Sequence, residues 1–303
     1  MTQLSREIFE SFQVRKTKRQ KEAFSAFLQT HIPQLHVQET GFPKCRNLII
    51  GDPRTAKVIL SAHYDTCAQL PISNFIIPKL PILCDLCSFI IIVVCLLIIY
   101  LCNFLLNFLY LNFWLQATIS LAIYAFLMWL MRCGPANKNN ANDNTSGVIT
   151  LLEIYQALSD RQRKDVCFVF FDNEEKGIIG SSLFRKKYKK VIKNTLLMNF
   201  DCVSDGDHFL LGISKAAKPE YQRVISDAFT PTLTKQVLLE DLKKVYYPSD
   251  QAGFPMAIAV AALKYKKPFG YYMDRIHTKR DTVFQEENIC YLKEKTIRLI
   301  ENL

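Results

Sequence analysis

The chain has 303 residues, 38 basic against 28 acidic, and half of them are hydrophobic, enough for one large domain or two small ones with a sizeable core. Modest charge and plentiful aromatics exclude a disordered chain, and 10 glycines and 12 prolines exclude collagen-like and low-complexity classes. A single strongly apolar region excludes a many-span transporter, and no repeat of fixed period is present.

In chain order, Leu4, Ile8, Phe12, Phe24, Phe27 and Leu28 recur near helical spacing among charges and predict an amphipathic helix over residues 3–30. His31-Ile-Pro33 stops it. Arg6, Glu7, Glu10 and Arg15 interrupt every early apolar run, so no export signal is expected. Residues 47–50 predict a strand, followed by the turn Gly51-Asp-Pro53. Residues 57–62 predict a buried strand that ends in His63-Tyr-Asp65.

From Leu86 to Met131 the chain carries no Asp, Glu, Lys, Arg or His. A membrane helix takes about 20 residues. This stretch therefore predicts two spans with a tight turn near Asn103–Asn112, with Trp114 and Trp129 suited to the interfaces. A helical hairpin inside a soluble core would keep a polar face, and this one shows almost none. An even number of spans returns the chain to one side. Lys79 precedes the hairpin, Arg132 and Lys138 follow it, and positive flanks favour the cytoplasm. The expectation is a multi-pass protein of a bacterial plasma membrane whose soluble part faces the cytosol.

Five of the ten cysteines (Cys84, Cys87, Cys95, Cys102, Cys133) lie in or beside this stretch, which suits a reducing compartment better than a disulfide framework. Cys84-Asp-Leu-Cys87 has the spacing of a redox or zinc pair, but no second pair completes it, and it reads as small apolar filler.

Beyond Arg132-Cys-Gly-Pro135 the chain is globular again. An Asn-rich loop (138–147), a helix (148–158), a strand (165–171), a helix with a basic face (181–192) and a strand (194–200) follow. Strands alternating with helices predict an α/β fold. The basic run Arg185-Lys-Lys-Tyr-Lys-Lys190 reads as a solvated helix face, with contact to anionic lipid as the second reading; no recognition motif accompanies it, so nucleic acid is not expected as a partner.

In an open α/β sheet, ligands bind outside the carboxyl ends of the strands. Three apolar strands here end in metal-ligand residue types: His63 and Asp65, then Glu174 and Glu175, then Asp201. Asp143 stands before a helix, and His277 and Asp281 lie near the C-terminus. Singly, each has a bland explanation: a chance triplet, a solvated turn, a helix cap or a core histidine. Together they suffice for a zinc site with nitrogen and oxygen ligands.

The segments Ser61-Ala-His63-Tyr-Asp65-Thr66, Ala141-Asn-Asp143-Asn-Thr-Ser-Gly147, Phe171-Asp-Asn-Glu174-Glu175-Lys-Gly177, Asn199-Phe-Asp201 and His277-Thr-Lys-Arg-Asp281-Thr282 resemble the zinc aminopeptidase family with two co-catalytic metals. This group includes bacterial leucyl aminopeptidases, glutamate carboxypeptidase, transferrin receptor and glutaminyl cyclase. Ser249-Asp250 with Phe254 resembles a loop that the family has before its last ligand.

The resemblance implies a three-layer α/β/α sandwich with a mixed, mostly parallel central sheet. Residues 1–79 and 132–303 would form a discontinuous catalytic domain, interrupted by a transmembrane hairpin insert at 80–131 that meets the bilayer. It implies two Zn2+ per chain, with Asp143 bridging, His63 and Asp201 on one metal, and Glu175 and His277 on the other. Glu174 would be general base, and Asp65 would accept the other ring proton of His63. Asp281 would support the His277 loop, and the peptide after Asp143 would be cis. The implied activity is removal of N-terminal residues from a peptide substrate. The alternatives are a glutaminyl cyclase-like or amidohydrolase activity, a non-catalytic receptor-like member, and a hairpin that serves subunit assembly. Gln251 stands where the family often has His, so substrate contacts are the least transferable part.

Overall fold

Apolar runs with no charge in their interior make the middle of a sheet, because strands buried on both faces have no polar side to show. A computed structural model describes residues 1–41, 44–70, 74–109 and 111–303, without the side chains of residues 85, 87, 88 and 91. The strands are β1 (His36–Thr40), β2 (Cys45–Ile50), β3 (Val58–His63), β4 (Val166–Phe171), β5 (Leu196–Phe200), β6 (His208–Ile213), β7 (Gln236–Asp241), β8 (Ala257–Lys266) and β9 (Gly270–Tyr272). The helices are α1 (Gln3–Ser11), α2 (Lys18–His31), α3 (Pro81–Asn107), α4 (Phe113–Cys133), α5 (Gly147–Ala157), α6 (Asp160–Arg163), α7 (Ile179–Lys187), α8 (Lys218–Ala228) and α9 (Glu286–Glu301).

The sheet order is β1-β2-β4-β3-β5-β8-β6-β7, with β9 on β8. The centre, β4-β3-β5-β8, is parallel; β1, β2 and β9 join antiparallel, and β6 runs antiparallel to β8 but parallel to β7. Side chains alternate across it. Leu48, Leu60, Phe168, Phe170 and Met198 pack with Leu4 and Ile8 of α1, Phe24 of α2, and α5 and α9. Ile49, Ile59, Val169 and Leu197 pack with Phe184 of α7 on the other face. The result is the expected three-layer α/β/α sandwich with a mixed sheet.

The single helix expected over residues 3–30 is two. Thr17 accepts from the Gln20 backbone while the Gln20 side chain returns to the Thr17 backbone, so α2 starts afresh. In the break, Arg15 is fully buried. The helix expected at 181–192 is also shorter, ending at Lys187.

The apolar stretch forms α3 and α4, which pack on each other. Asn103 and Ser120 exchange hydrogen bonds (2.7 and 3.0 Å), and Gln116 donates to Asn107 (2.9 Å). No residue of α4 is buried, and Trp114 is 78% exposed. Where two spans were expected, one helix among the described residues, α4, is by itself long and apolar enough to cross a membrane; Ile92–Asn107 of α3 is a shorter apolar stretch. Tyr110 of the expected turn and the Cys87 side chain of the cysteine pair lie outside the described residues. Cys84 Sγ lies 3.0 Å from the Ile77 amide, which donates to it.

Candidate metal centre

Because β3, β4 and β5 run parallel, their carboxyl ends deliver His63, the Asp172–Glu175 turn and Asp201 to one edge. The Ala141–Ser146 loop and the His277 loop fold over that edge. Asp143 divides its two oxygens between two imidazoles: Oδ1 is 3.2 Å from His63 Nε2 and Oδ2 is 3.0 Å from His277 Nε2. Asp201 Oδ1 is 3.4 Å from His63 Nε2, and Glu175 Oε2 is 3.4 Å from His277 Nε2. Asp143 and His63 are buried, and Glu175 is nearly so. The peptide Asp143–Asn144 is cis, as expected.

The supporting hydrogen bonds differ from expectation at two residues. His63 Nδ1 meets the backbone carbonyl of Asp65 at 3.0 Å, while the Asp65 carboxylate lies 3.8 Å away. That carboxylate is occupied elsewhere, accepting from the backbone amides of Glu174 (2.9 Å) and Glu175 (3.3 Å). Asp65 thus aims the acidic pair as well as fixing the ring. Asp281 accepts from the amides of Asn142 (2.9 Å) and Asp143 (3.0 Å), so it holds the Asp143 loop and not that of His277.

Residues without a metal-ligand signature do much of the positioning. Asn142 Oδ1 accepts from Ser204 and Asp205, and Asn144 ties Gly147, Phe200 and Cys202 together. Gly147 must be glycine, since a Cβ there would sit 2.4 Å from the Phe200 carbonyl oxygen. Arg15 donates to the Tyr64 carbonyl (2.5 Å) and Thr145 Oγ1 (3.1 Å), joining the β3 end to the Asp143 loop. Its charge also faces Asp65 and Asp143, although burial outweighs them and lowers its pKa to about 10. In the loop after Ser249, the Gln251 side chain donates to the Tyr247 carbonyl and accepts from Asn199. Asp250 is fully buried, neither oxygen has hydrogen-bond geometry to a partner among the described residues, and burial raises its pKa to about 7.

The electrostatics are those of crowded acids balanced by protons. Burial disfavours charge on His63, yet hydrogen bonds with Asp143 and Asp201 prevail and raise its pKa well above the usual value. His277 rises to about 9 because Glu175 and Asp143 outweigh its burial. Against the same burial, the two imidazoles hold Asp143 well below the carboxylate range. Burial pushes Glu175 up to about 8, and Glu174 well above its ordinary value. Burial, with Glu175, Asp143 and Asp281 nearby, also keeps Cys67 a thiol.

A divalent cation would supply the positive charge that these protons supply. The donors fit one. Glu175 Oε1 is buried with no hydrogen-bond partner among the described residues, and two imidazoles with three carboxylates suit zinc. His63, Asp143 and Asp201 form one group whose ligand atoms all lie within 4.8 Å of one another. His63, Glu174 and Glu175 form another, as do Cys67, Glu175 and His277, the thiol being one the sequence motifs did not reveal.

Known proteins share this fold. Leucine aminopeptidase 1 of Sclerotinia sclerotiorum is 28% identical over 160 residues, 47% of this chain and 41% of the relative; the chain thus spans about two fifths of that curated relative. A Zn-dependent exopeptidase from Parabacteroides distasonis superposes with TM-score 0.55 at 14% identity, over 99% of this chain and 96% of that one. Glutaminyl cyclase of Macrostomum lignano superposes with TM-score 0.58 at 11% identity, over 98% and 87%. At these identities the superpositions speak for the fold. The sequence match to peptidase family M28 runs from residue 128 to 291 and takes in Asp143, Glu174, Glu175, Asp201 and His277. It covers more than half of the chain, which therefore belongs to peptidase family M28.

Proposed function

We propose that this chain is a membrane-anchored aminopeptidase that works with two zinc ions. The observation that carries the reading is the division of the Asp143 carboxylate between His63 and His277, which suits a bridge between two metals. His63 and Asp201 would hold one ion with it, and Glu175 and His277 the other. When bound, the zinc ions polarise a peptide carbonyl and acidify water.

Glu174 is the proton carrier of this scheme. Burial and the neighbouring carboxylates raise its proton affinity and bound cations would lower it again, so that it could take a proton from the attacking water and hand it to the departing amine. Asp65 serves the same chemistry from behind, holding the backbone of Glu174 and Glu175 in place through its two oxygens. The curated relative's name supports a free amino terminus on the substrate, and the glutaminyl cyclase superposition supports a second reading on the same residues. Hydrolysis of a panel of aminoacyl amides, run beside ammonia release from peptides with N-terminal glutamine, separates the two. Chain shortening with a free amino terminus supports the peptidase; cyclisation without shortening supports the alternative.

Residues 80–131 would anchor the catalytic part, 1–79 and 132–303, in the bilayer. The exposed apolar surface of α3 and α4 supports this, as do the charges at their root. Lys16 Nζ donates to the Arg132 carbonyl at 2.8 Å, and a cleft of about 390 Å³ there is lined by Lys16, Lys18, Lys21, Lys44, Arg46 and Lys176 against the acids Glu22, Glu39 and Asp172. Such a basic root favours the cytoplasmic side and an anionic leaflet. Retention in the membrane pellet after alkaline extraction tests the anchor; release would refute it.

A further inference from the structure

We propose that Cys67 is a fourth protein ligand of the second metal, beside Asp143, Glu175 and His277. The proposal rests on the two-metal reading and adds a donor that separates the two ions in kind. Cys67 Sγ, a Glu175 oxygen and a His277 ring nitrogen all lie within 4.8 Å of one another. Zinc–sulfur bonds are about 2.3 Å and zinc–nitrogen or zinc–oxygen bonds about 2.0–2.2 Å, so donors on one ion stand at most about 4.5 Å apart. The 4.8 Å bound on the three lies close to that limit.

The thiol is also held where it is. Cys67 is 2% exposed. Its carbonyl accepts from the Asn137 amide (3.2 Å), and the preceding Thr66 accepts from the Arg15 amide through Oγ1 (3.0 Å). Its proton goes to Asn140 Oδ1, a long contact of 3.5 Å to a neutral acceptor. An independent sign of a ligand comes from Glu175. Its side chain is 10% exposed, and Oε1 is buried with no hydrogen-bond partner among the described residues. A cation held among Cys67, Glu175 and His277 would give this buried carboxylate the partner it lacks. On coordination the thiol gives its proton to solvent and the sulfur stays as thiolate, with no change of oxidation state.

The consequence is an asymmetric pair. The second metal has four protein donors and resembles a closed site, whereas His63, Asp143 and Asp201 leave the first a vacant position. The softer sulfur donor also favours zinc over magnesium or manganese at the second site.

X-ray absorption at the zinc edge, on the full-length chain in detergent loaded with zinc, tests this. The wild type is expected to show a sulfur shell at about 2.3 Å. Cys67→Ser should lose it and weaken one of the two zincs about tenfold or more. Cys202→Ser should keep it, since Cys202 Sγ contacts only Asp201 of the first group, at 3.2 Å. A wild type with two zincs and only light-atom neighbours overturns the proposal and leaves the two-metal reading standing. A shell that survives Cys67→Ser, or disappears with Cys202→Ser, also overturns it. A wild type that takes up a single zinc defeats the two-metal reading instead, and the sulfur shell still decides Cys67. If Cys67→Ser fails to fold, the wild-type and Cys202→Ser spectra remain sufficient to refute it.

Discussion

The sheet and the helical hairpin are built from equally apolar runs and treat them in opposite ways. Every residue of β3, β4 and β5 is buried, while no residue of α4 is. The difference lies in how the runs end. Each sheet run is five or six residues long and ends at or just before a polar residue, His63, Asp172 or Asp201, so its apolar residues carry chemistry to a common edge. The hairpin helices run on for 27 and 21 residues, with no charged residue from Leu86 to Met131. Hydrophobicity fixes that a run leaves water, and the placement of charge decides whether protein or lipid receives it.

The largest effect expected from this contrast is on partition. Replacing residues 80–131 with a short Gly/Ser loop should move the protein wholly from the membrane pellet to the supernatant, with its zinc content unchanged. Loss of both zincs on that replacement would show that the hairpin belongs to the catalytic fold. Sedimentation and metal analysis of the same preparation read the two outcomes together.

The sheet side of the comparison is broken at its strand ends. Glu174→Gln should lower turnover by about 10² to 10⁴ and retain zinc, because a general acid–base group acts on the reaction and not on the ion. Glu175→Gln should instead release zinc. Exchange of the two phenotypes would shift the assignment by one residue. Asp143→Asn, which leaves one oxygen where two faced the imidazoles, should impair both ions at once; loss of a single zinc would end its role as a bridge.

Much of this edge was legible because chemistry-bearing residue types stand out where an apolar strand stops. What was not legible came from residues whose type says nothing of their place. Arg15 read as a charge interrupting an apolar run, yet it is buried at the break between α1 and α2. The reason lies about 50 and 130 residues away, in the Tyr64 carbonyl and Thr145 hydroxyl that accept its protons. A charged residue at the end of an amphipathic helix carries no mark of a distant acceptor. Arg15→Lys should keep the charge but lose the fork, leaving buried acceptors without donors at about 1–3 kcal/mol. In a chain of this size that amounts to roughly 1–2 °C in Tm per kcal/mol. An unchanged Tm would mean that the guanidinium geometry does not matter there. The same blindness hid the two uses of Asp65 and the true client of Asp281, since both depend on backbone amides that any residue carries.

The smallest expected effect is the most informative about why the hairpin stands where it does. Its two feet meet at the site: Gln69 donates to the Pro135 carbonyl, Leu70 to the His277 carbonyl, and the Asn137 side chain to the Thr278 carbonyl. The segments that flank the hairpin, at residues 69–70 and 135–137, thus meet beside one of the two histidines, while Pro78 and Lys79 at its start reach Tyr246 and Glu240. If the hairpin enters the bilayer as proposed, a cleft so placed would open near the membrane surface, where apolar peptides are concentrated. Without the hairpin, turnover on short polar peptides should be unchanged, because the feet remain. Turnover on vesicle-bound apolar peptides should fall about tenfold through lost effective concentration. An unrelated membrane helix fused at the N-terminus returns the protein to the vesicle but not the cleft to the surface. If position matters, that fusion restores binding and leaves the apolar peptides slow. Full restoration of both would reduce the hairpin to a tether, and the contacts of Leu70 and Asn137 with the His277 loop would then serve only to close the fold around the insertion.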